Sequence, residues 1–158
     1  MSENPAVRPS RIPWPPILLG AALLGSWLLG RILPLPWPGL DDLPARIIGL
    51  SIGAAGVALT IWAAITLQRH YTTILPHRPA SALVTSGPFA YLRNPLYLGD
   101  VMILLGLAEL TRNVWFVILA LVFAVLVTWL AILPEERHLE ARFGRAYRDY
   151  MRKARRWI

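Results

Sequence analysis

Long apolar blocks decide what this chain can become. Four of them cover about residues 14–33, 47–67, 96–110 and 114–133. The second and fourth contain no charged residue, the first is charged only at Arg31 near its end, and the third carries Asp100 and Glu109. A helix needs about 20 apolar residues to cross a bilayer core about 30 Å thick, and three of the blocks are that long. The third is short and is expected to stand shielded by its neighbours. A soluble protein with a buried helical hairpin would need enough polar chain to cover such blocks. With only 16% of its 158 residues charged, against about 25% in an average soluble domain, this chain does not supply it. The expected fold is therefore all-α: a multi-pass transmembrane helical bundle of about four spans in a single membrane domain, 1–158, with an amphipathic basic C-terminal helix. Residues 14–67 supply two N-terminal spans. The first is read as a span rather than a cleaved signal peptide, because Pro34, Pro36 and Pro38 follow it in place of a small-residue exit. Gly49, Gly53 and Gly56 put small residues near one face of the second span, as close packing or dimerisation of helices requires.

Charge orients the bundle. Arg8 and Arg11 precede the first block, and Arg69, Arg78 and Arg93 lie between the second and third with no acid among them. The chain ends in a run that includes Arg137, Arg142, Arg145, Arg148, Arg152, Lys153, Arg155 and Arg156. The other two loops mix Arg31 and Arg46 with Asp41 and Asp42, and Arg112 with Glu109. Basic residues thus gather on alternate loops, which places both termini and the middle loop in the cytoplasm and requires an even number of spans. The net charge of +7 abuts a membrane span, so membrane lipids, not nucleic acid, are the expected partner. The absence of cysteine excludes disulfides and thiolate chemistry, and His70, His77 and His138 lack the spacing of a metal site. No glycine-rich nucleotide fingerprint of the soluble kind occurs.

Two polar segments carry the chemistry. The first, residues 70–100, is long for a link between adjacent helices and rich in turn formers: Ser86-Gly87-Pro88, then Asn94-Pro95. Pro95 suits the first turn of the third helix, whose free backbone N–H groups could hold an anion. Tyr97 and Asp100 would share a face of that helix. The second segment opens with Pro134-Glu135-Glu136, a proline and two acids suited to a helix start. Leu139, Phe143, Ala146, Tyr147 and Tyr150 then recur on one side, with most arginines elsewhere and Gly144 as a local weak point. Paired acids beneath an anionic membrane are unfavourable by themselves, and a cationic ligand would remove the objection.

The run Leu83-Val84-Thr85-Ser86-Gly87-Pro88-Phe89, with Arg93-Asn94-Pro95-x-Tyr97-x-Gly99 after it, resembles the signature of the isoprenylcysteine carboxyl methyltransferases and the related phospholipid N-methyltransferases. So does Glu135-Glu136-x-x-Leu139 followed by Phe143-Gly144-x-x-Tyr147-x-x-Tyr150. The likeness takes in about residues 70–158, a methyltransferase-like core of loop, helical hairpin and C-terminal helix. It implies a bacterial inner-membrane enzyme that binds S-adenosylmethionine at the cytoplasmic membrane face, between loop and tail. By motif position Leu83, Val84, Phe89, Asn94, Pro95, Leu96 and Tyr97 would contact the cofactor, with Glu135 close by. Phe89 stands where many members have tyrosine. Ala131, Ile132 and Leu133 are apolar where the eukaryotic enzymes carry a basic residue for substrate, which argues against prenylcysteine as the acceptor.

Chemistry fits that implication. Glu135 or Glu136 could take the cofactor's ammonium or ribose hydroxyls, and Arg93 with the helix N-terminus its carboxylate. A hydrophobic methyl acceptor could enter sideways from lipid. A carboxylate acceptor needs no general base, whereas an amine must lose a proton, with Asp100, His70 or Tyr71 as the groups at hand. The arginine-rich tail could close over the cofactor or anchor in headgroups. The alternatives are a non-catalytic lipid-binding or accessory protein, and a membrane reductase of similar topology that would bind a nicotinamide cofactor.

Overall fold

The computed structural model describes residues 12–38, 42–70 and 82–158. Its helices are α1 (Trp14–Ile32), α2 (Leu43–Arg69), α3 (Pro95–Thr111), α4 (Trp115–Val127), α5 (Leu133–Phe143) and α6 (Arg145–Lys153), with a short 3₁₀ turn at Gly87–Ala90 before α3. There is no strand among the described residues. The chain is an all-α integral membrane protein. Three helical stretches are long and apolar enough to cross a bilayer: α1, α2 and a continuous run Trp115–Phe143. The third apolar block forms α3, which at 17 residues rises only about 25 Å.

α3 stands against α2 along most of its length, antiparallel to it. Gly49 faces Glu109, Gly53 faces Gly106, and Gly56 faces Gly99 and Met102. At the centre of this seam two glycine backbones touch: a Cβ added to Gly53 would lie 2.8 Å from the Gly106 Cα. In lipid there is no hydrophobic gain from bringing two apolar helices together, so such close approach is what makes the contact favourable. The glycines of the second span therefore serve packing within the chain. α1 pairs with α4 in the same antiparallel sense, Gly25 against Leu119 and Gly30 against Asn113. The core lies between α1, α3 and α4 and is filled by Ala22, Leu104, Ala108, Phe116, Ala120, Phe123, Val127 and Ile132. Leu24, Trp62, Val125 and Trp129 point outward, as residues facing lipid do.

Pro134 does not begin a separate helix. Nothing in the apolar run before it breaks a helix, so α4 continues through one widened π-helical turn, Thr128–Ile132, into α5. A proline in a continuing helix has no N–H and crowds the carbonyl four residues back. The wider turn accommodates it, with the Leu133 N–H bonded to the Thr128 carbonyl five residues earlier. The extra residue rotates α5 by about 100° relative to an uninterrupted helix. Glu135 and Glu136 are aimed by that rotation. The expected C-terminal helix is broken at Gly144, whose φ of +53° is a glycine conformation, into α5 and α6.

Candidate active site

One end of the bundle collects the polar segments. The α3 N-terminus, loop residues 82–94, the start of α5, all of α6 and the tail beyond it meet there. Tyr147 and Tyr150 of α6 pack with Leu83, Leu139, Phe143 and Ala154, so the apolar face expected of the C-terminal helix is buried against protein. The Tyr150 hydroxyl donates to the Phe89 carbonyl at 2.7 Å, fixing α6 to the 3₁₀ turn. Burial pushes the phenols of Tyr147 and Tyr150 well above their ordinary range, and for Tyr147 the nearby Glu136 carboxylate adds to this. Both therefore stay protonated; Tyr150 donates to Phe89, and the Tyr147 oxygen accepts from the Arg93 guanidinium.

The tail then runs beside the loop. Arg93 N–H donates to the Arg155 carbonyl at 2.7 Å, and Arg155 N–H to the Tyr91 carbonyl at 2.9 Å. Asn94, at the cap position of α3, does not cap the helix with its side chain. Its Nδ2 reaches the Arg156 carbonyl instead, at 3.0 Å. Arg156 in turn grips Glu136 with both edges of its fork, Nε to Oε1 at 2.9 Å and Nη2 to Oε2 at 2.7 Å. That hydrogen bonding raises the Arg156 guanidinium further above its ordinary value. Arg93 Nη1 lies 3.2 Å from the same carboxylate.

The two neighbouring acids are thus treated differently. Glu136 is neutralised by two guanidiniums. Glu135 has no cation beside it among the described residues, and its one partner is the Tyr97 hydroxyl at 3.4 Å, a long contact. Arg93 leaves its buried Nε–H without an acceptor among the described residues. Both groups line one cavity of about 80 Å³, together with Leu83, Val84, Phe89, Asn94 and Glu136.

Of the residues singled out in the sequence, the structure therefore brings Leu83, Val84, Phe89, Arg93, Asn94, Glu135 and Glu136 to one cavity. Tyr97 lies beside it through Glu135. Pro95 is buried at the start of α3. Leu96 packs in the wall, against the cluster of Ala63, Leu67, Val84 and Phe89. His70 is not in the lining. Its Nδ1 donates to the Thr66 carbonyl at 2.8 Å and its Nε2 meets the Ser86 hydroxyl at 3.2 Å, which clips the end of α2 to the loop. Asp100 sits one turn beyond Tyr97, outside the lining. Tyr71 lies outside the described residues. The cavity also takes Tyr147 and Tyr150, which in the sequence stand on an apolar face and in the motif without a site role. Arg156 carried no signal, being one basic residue in a basic run.

Two curated relatives match. One is the nickel-cobalt-cadmium resistance protein NccN of Alcaligenes xylosoxydans xylosoxydans, 30% identical over 118 residues that make up 72% of this chain and 51% of that protein. The other is the cobalt-zinc-cadmium resistance protein CzcN of Cupriavidus metallidurans, 31% identical over 109 residues, 66% of this chain and 46% of that protein. The chain spans about half the length of the curated relatives it matches. Among the described residues no group of three or more histidine, cysteine or acidic side chains could hold a metal ion. No solved structure matches. The model of the phospholipid methyltransferase family matches residues 44–146, from the first turn of α2 into α6 and across both Tyr97 and Glu135. The chain belongs to the phospholipid methyltransferase family.

Proposed function

We propose that the chain transfers a methyl group from S-adenosylmethionine to a membrane-soluble acceptor (a lipid, a prenylated molecule or another hydrophobic small molecule) at the cytoplasmic face of the membrane. The observation that carries this reading is the pair of unmatched groups around one cavity: the Glu135 carboxylate without a cation and the buried Arg93 Nε–H without an acceptor. A buried charge or donor left so is costly unless a ligand completes it. The amino-acid end of S-adenosylmethionine carries an ammonium and a carboxylate, the two groups these residues lack. When bound, the cofactor supplies a methyl group activated by a sulfonium.

The chain's own residues then have definite tasks. Glu135 accepts hydrogen bonds from an ammonium or from ribose hydroxyls, and Tyr97 holds its carboxylate in place. Arg93 takes a carboxylate, while Glu136 fixes the guanidinium from the opposite side. Leu83, Val84, Phe89, Tyr147 and Tyr150 keep water from the reacting centre, which favours discharge of the sulfonium and leaves alignment as the main source of acceleration. A cavity of about 80 Å³ holds only part of such a ligand, since sites for molecules of this size run from about 300 Å³ upward. Binding therefore requires loop and tail to part. The basic loop and tail support the cytoplasmic side of the membrane for this end of the bundle, taken here to be a bacterial inner membrane.

Calorimetry on the full chain in nanodiscs tests the proposal, with S-adenosylmethionine, S-adenosylhomocysteine and NADPH as ligands. Saturable binding of the first two alone is expected. Glu135→Gln should abolish it with unfolding temperature unchanged, and Tyr97→Ala should abolish it in a chain that still folds but melts earlier, because Tyr97 is buried. Binding of NADPH would point to a reductase, and no binding by a folded sample to a lipid-binding or accessory protein. A lipid-extract screen with labelled methyl donor then identifies the acceptor.

A further inference from the structure

A second cavity, of about 360 Å³, opens at the far end of the bundle, between the end of α1, the loop after it and the hairpin joining α3 to α4. It lies most of the length of α1 away from Tyr97 and Glu135, roughly 25 Å along the helix axis. Its lining includes two guanidiniums, Arg31 and Arg112, with Trp27, Thr111, Asn113 and Phe116. Arg31 pairs with no carboxylate among the described residues and rests over the Trp27 ring, 5.4 Å from its centroid. Arg112 lies 5.8 Å from the Trp37 ring centroid and 3.7 Å from the buried Glu109 carboxylate.

The backbone at Arg112 sets where its side chain lies. Its φ of +54° makes it the only non-glycine residue with positive φ among the described residues. It closes α3 in the left-handed conformation, where glycine or asparagine fits without strain. From there its guanidinium reaches the Glu109 carboxylate, the Trp37 ring and the wall of the cavity.

The approach to the cavity is apolar. Leu24, Trp27 and Leu28, all exposed, stand on the same face of α1 as Arg31, at helical spacing along the bundle's outer surface. An acyl chain lying along that strip would deliver a headgroup to the guanidiniums, which a soluble anion would not need. We propose that this cavity binds the phosphate headgroup of an anionic phospholipid from the leaflet opposite the Tyr97–Glu135 end, with Arg31 and Arg112 as its cationic contacts and Trp27 at the level of the headgroup.

The test is binding of dioctanoyl phosphatidylglycerol and dioctanoyl phosphatidylcholine, of equal chain length, to the full chain in detergent, followed by native mass spectrometry. The anionic lipid should bind about tenfold more tightly, and Arg31→Gln, a change at an exposed side chain, should remove about that factor. Arg112→Gly should weaken it similarly while leaving the left-handed turn relaxed. If that variant unfolds because Glu109 loses its partner, Arg31→Gln alone decides. Binding of S-adenosylmethionine should be the same in both variants and the parent, which separates this site from the other end. Equal affinity for the two lipids, no effect of Arg31→Gln, or displacement of the lipid by excess inorganic phosphate would each overturn the proposal.

Discussion

Between α2 and α3 the chain holds together by leaving side chains out: Gly53 lies on Gly106, Gly56 on Gly99, and the backbones touch. Between the tail and the loop it holds together by adding them: Arg156 clasps Glu136, Asn94 and Arg93 bond to the tail backbone, and Tyr150 bonds to Phe89. The seam is apolar at its centre, with Glu109 buried at one end, and it is intolerant of volume. The junction is polar, tolerant of volume and dependent on particular atoms. A bundle in lipid can only be closed by shape, whereas the end that meets water can be closed by charge, and a ligand can compete for charge. The candidate site sits in the part of the molecule whose cohesion a ligand can rewrite.

That contrast can be broken experimentally. The largest effect is expected from Gly53→Leu, which drives a side chain into the Gly106 backbone and should cost about 3 kcal/mol or more, read as loss of the folded fraction in thermal unfolding. Glu136→Ala comes next. It strands two guanidiniums, one of them part exposed, and should cost about 2 kcal/mol, with earlier tryptic cleavage of the tail. Tyr150→Phe removes one buried hydroxyl bond at 2.7 Å and should cost about 1 kcal/mol in the same unfolding assay. Raising salt to about 1 M should loosen the tail by roughly 0.5 kcal/mol, seen in proteolysis, and leave the α2–α3 seam untouched. If Gly53→Leu is tolerated as well as Tyr150→Phe, the seam is looser than its geometry indicates and the comparison fails.

The sequence made the apolar helices legible because lipid imposes length and uniform hydrophobicity, and 47–67 and 114–133 satisfy both. Pro95 announced the start of α3 correctly, since a proline with turn formers before it can hardly sit elsewhere. Pro134 carried the same signal, yet α4 runs on through a π-helical turn. Local propensity does not say whether a proline starts a helix or widens one. Seven of the residues expected to contact the cofactor converge on the cavity, because the two motifs they belong to open α3 and α5 at the same end of the bundle. Arg156 stayed hidden, because only the path of the backbone past Leu92 sets it apart from the other arginines. His70 looked like a chemical group and is a clip, a distinction made by Thr66 and Ser86. The family match reaches upstream of the motifs and takes in α2, whose glycines carry no catalytic signal but form the seam on which α3 is hung.

The shortness of α3 has a consequence for the surrounding lipid. At 17 residues it is about 5 Å shorter than the hydrocarbon it stands in, while α2 with 27 residues overshoots it. A bundle with one short member and one long one favours locally thinned bilayer beside the short helix, at a cost of fractions of a kcal/mol for each ångström of mismatch. Thinning on that side lowers the headgroup plane toward the first turn of α3, where Tyr97 begins the polar end. Acyl-chain length would then act as a tuning variable, with thicker membranes holding their headgroups farther from the cavity than thinner ones.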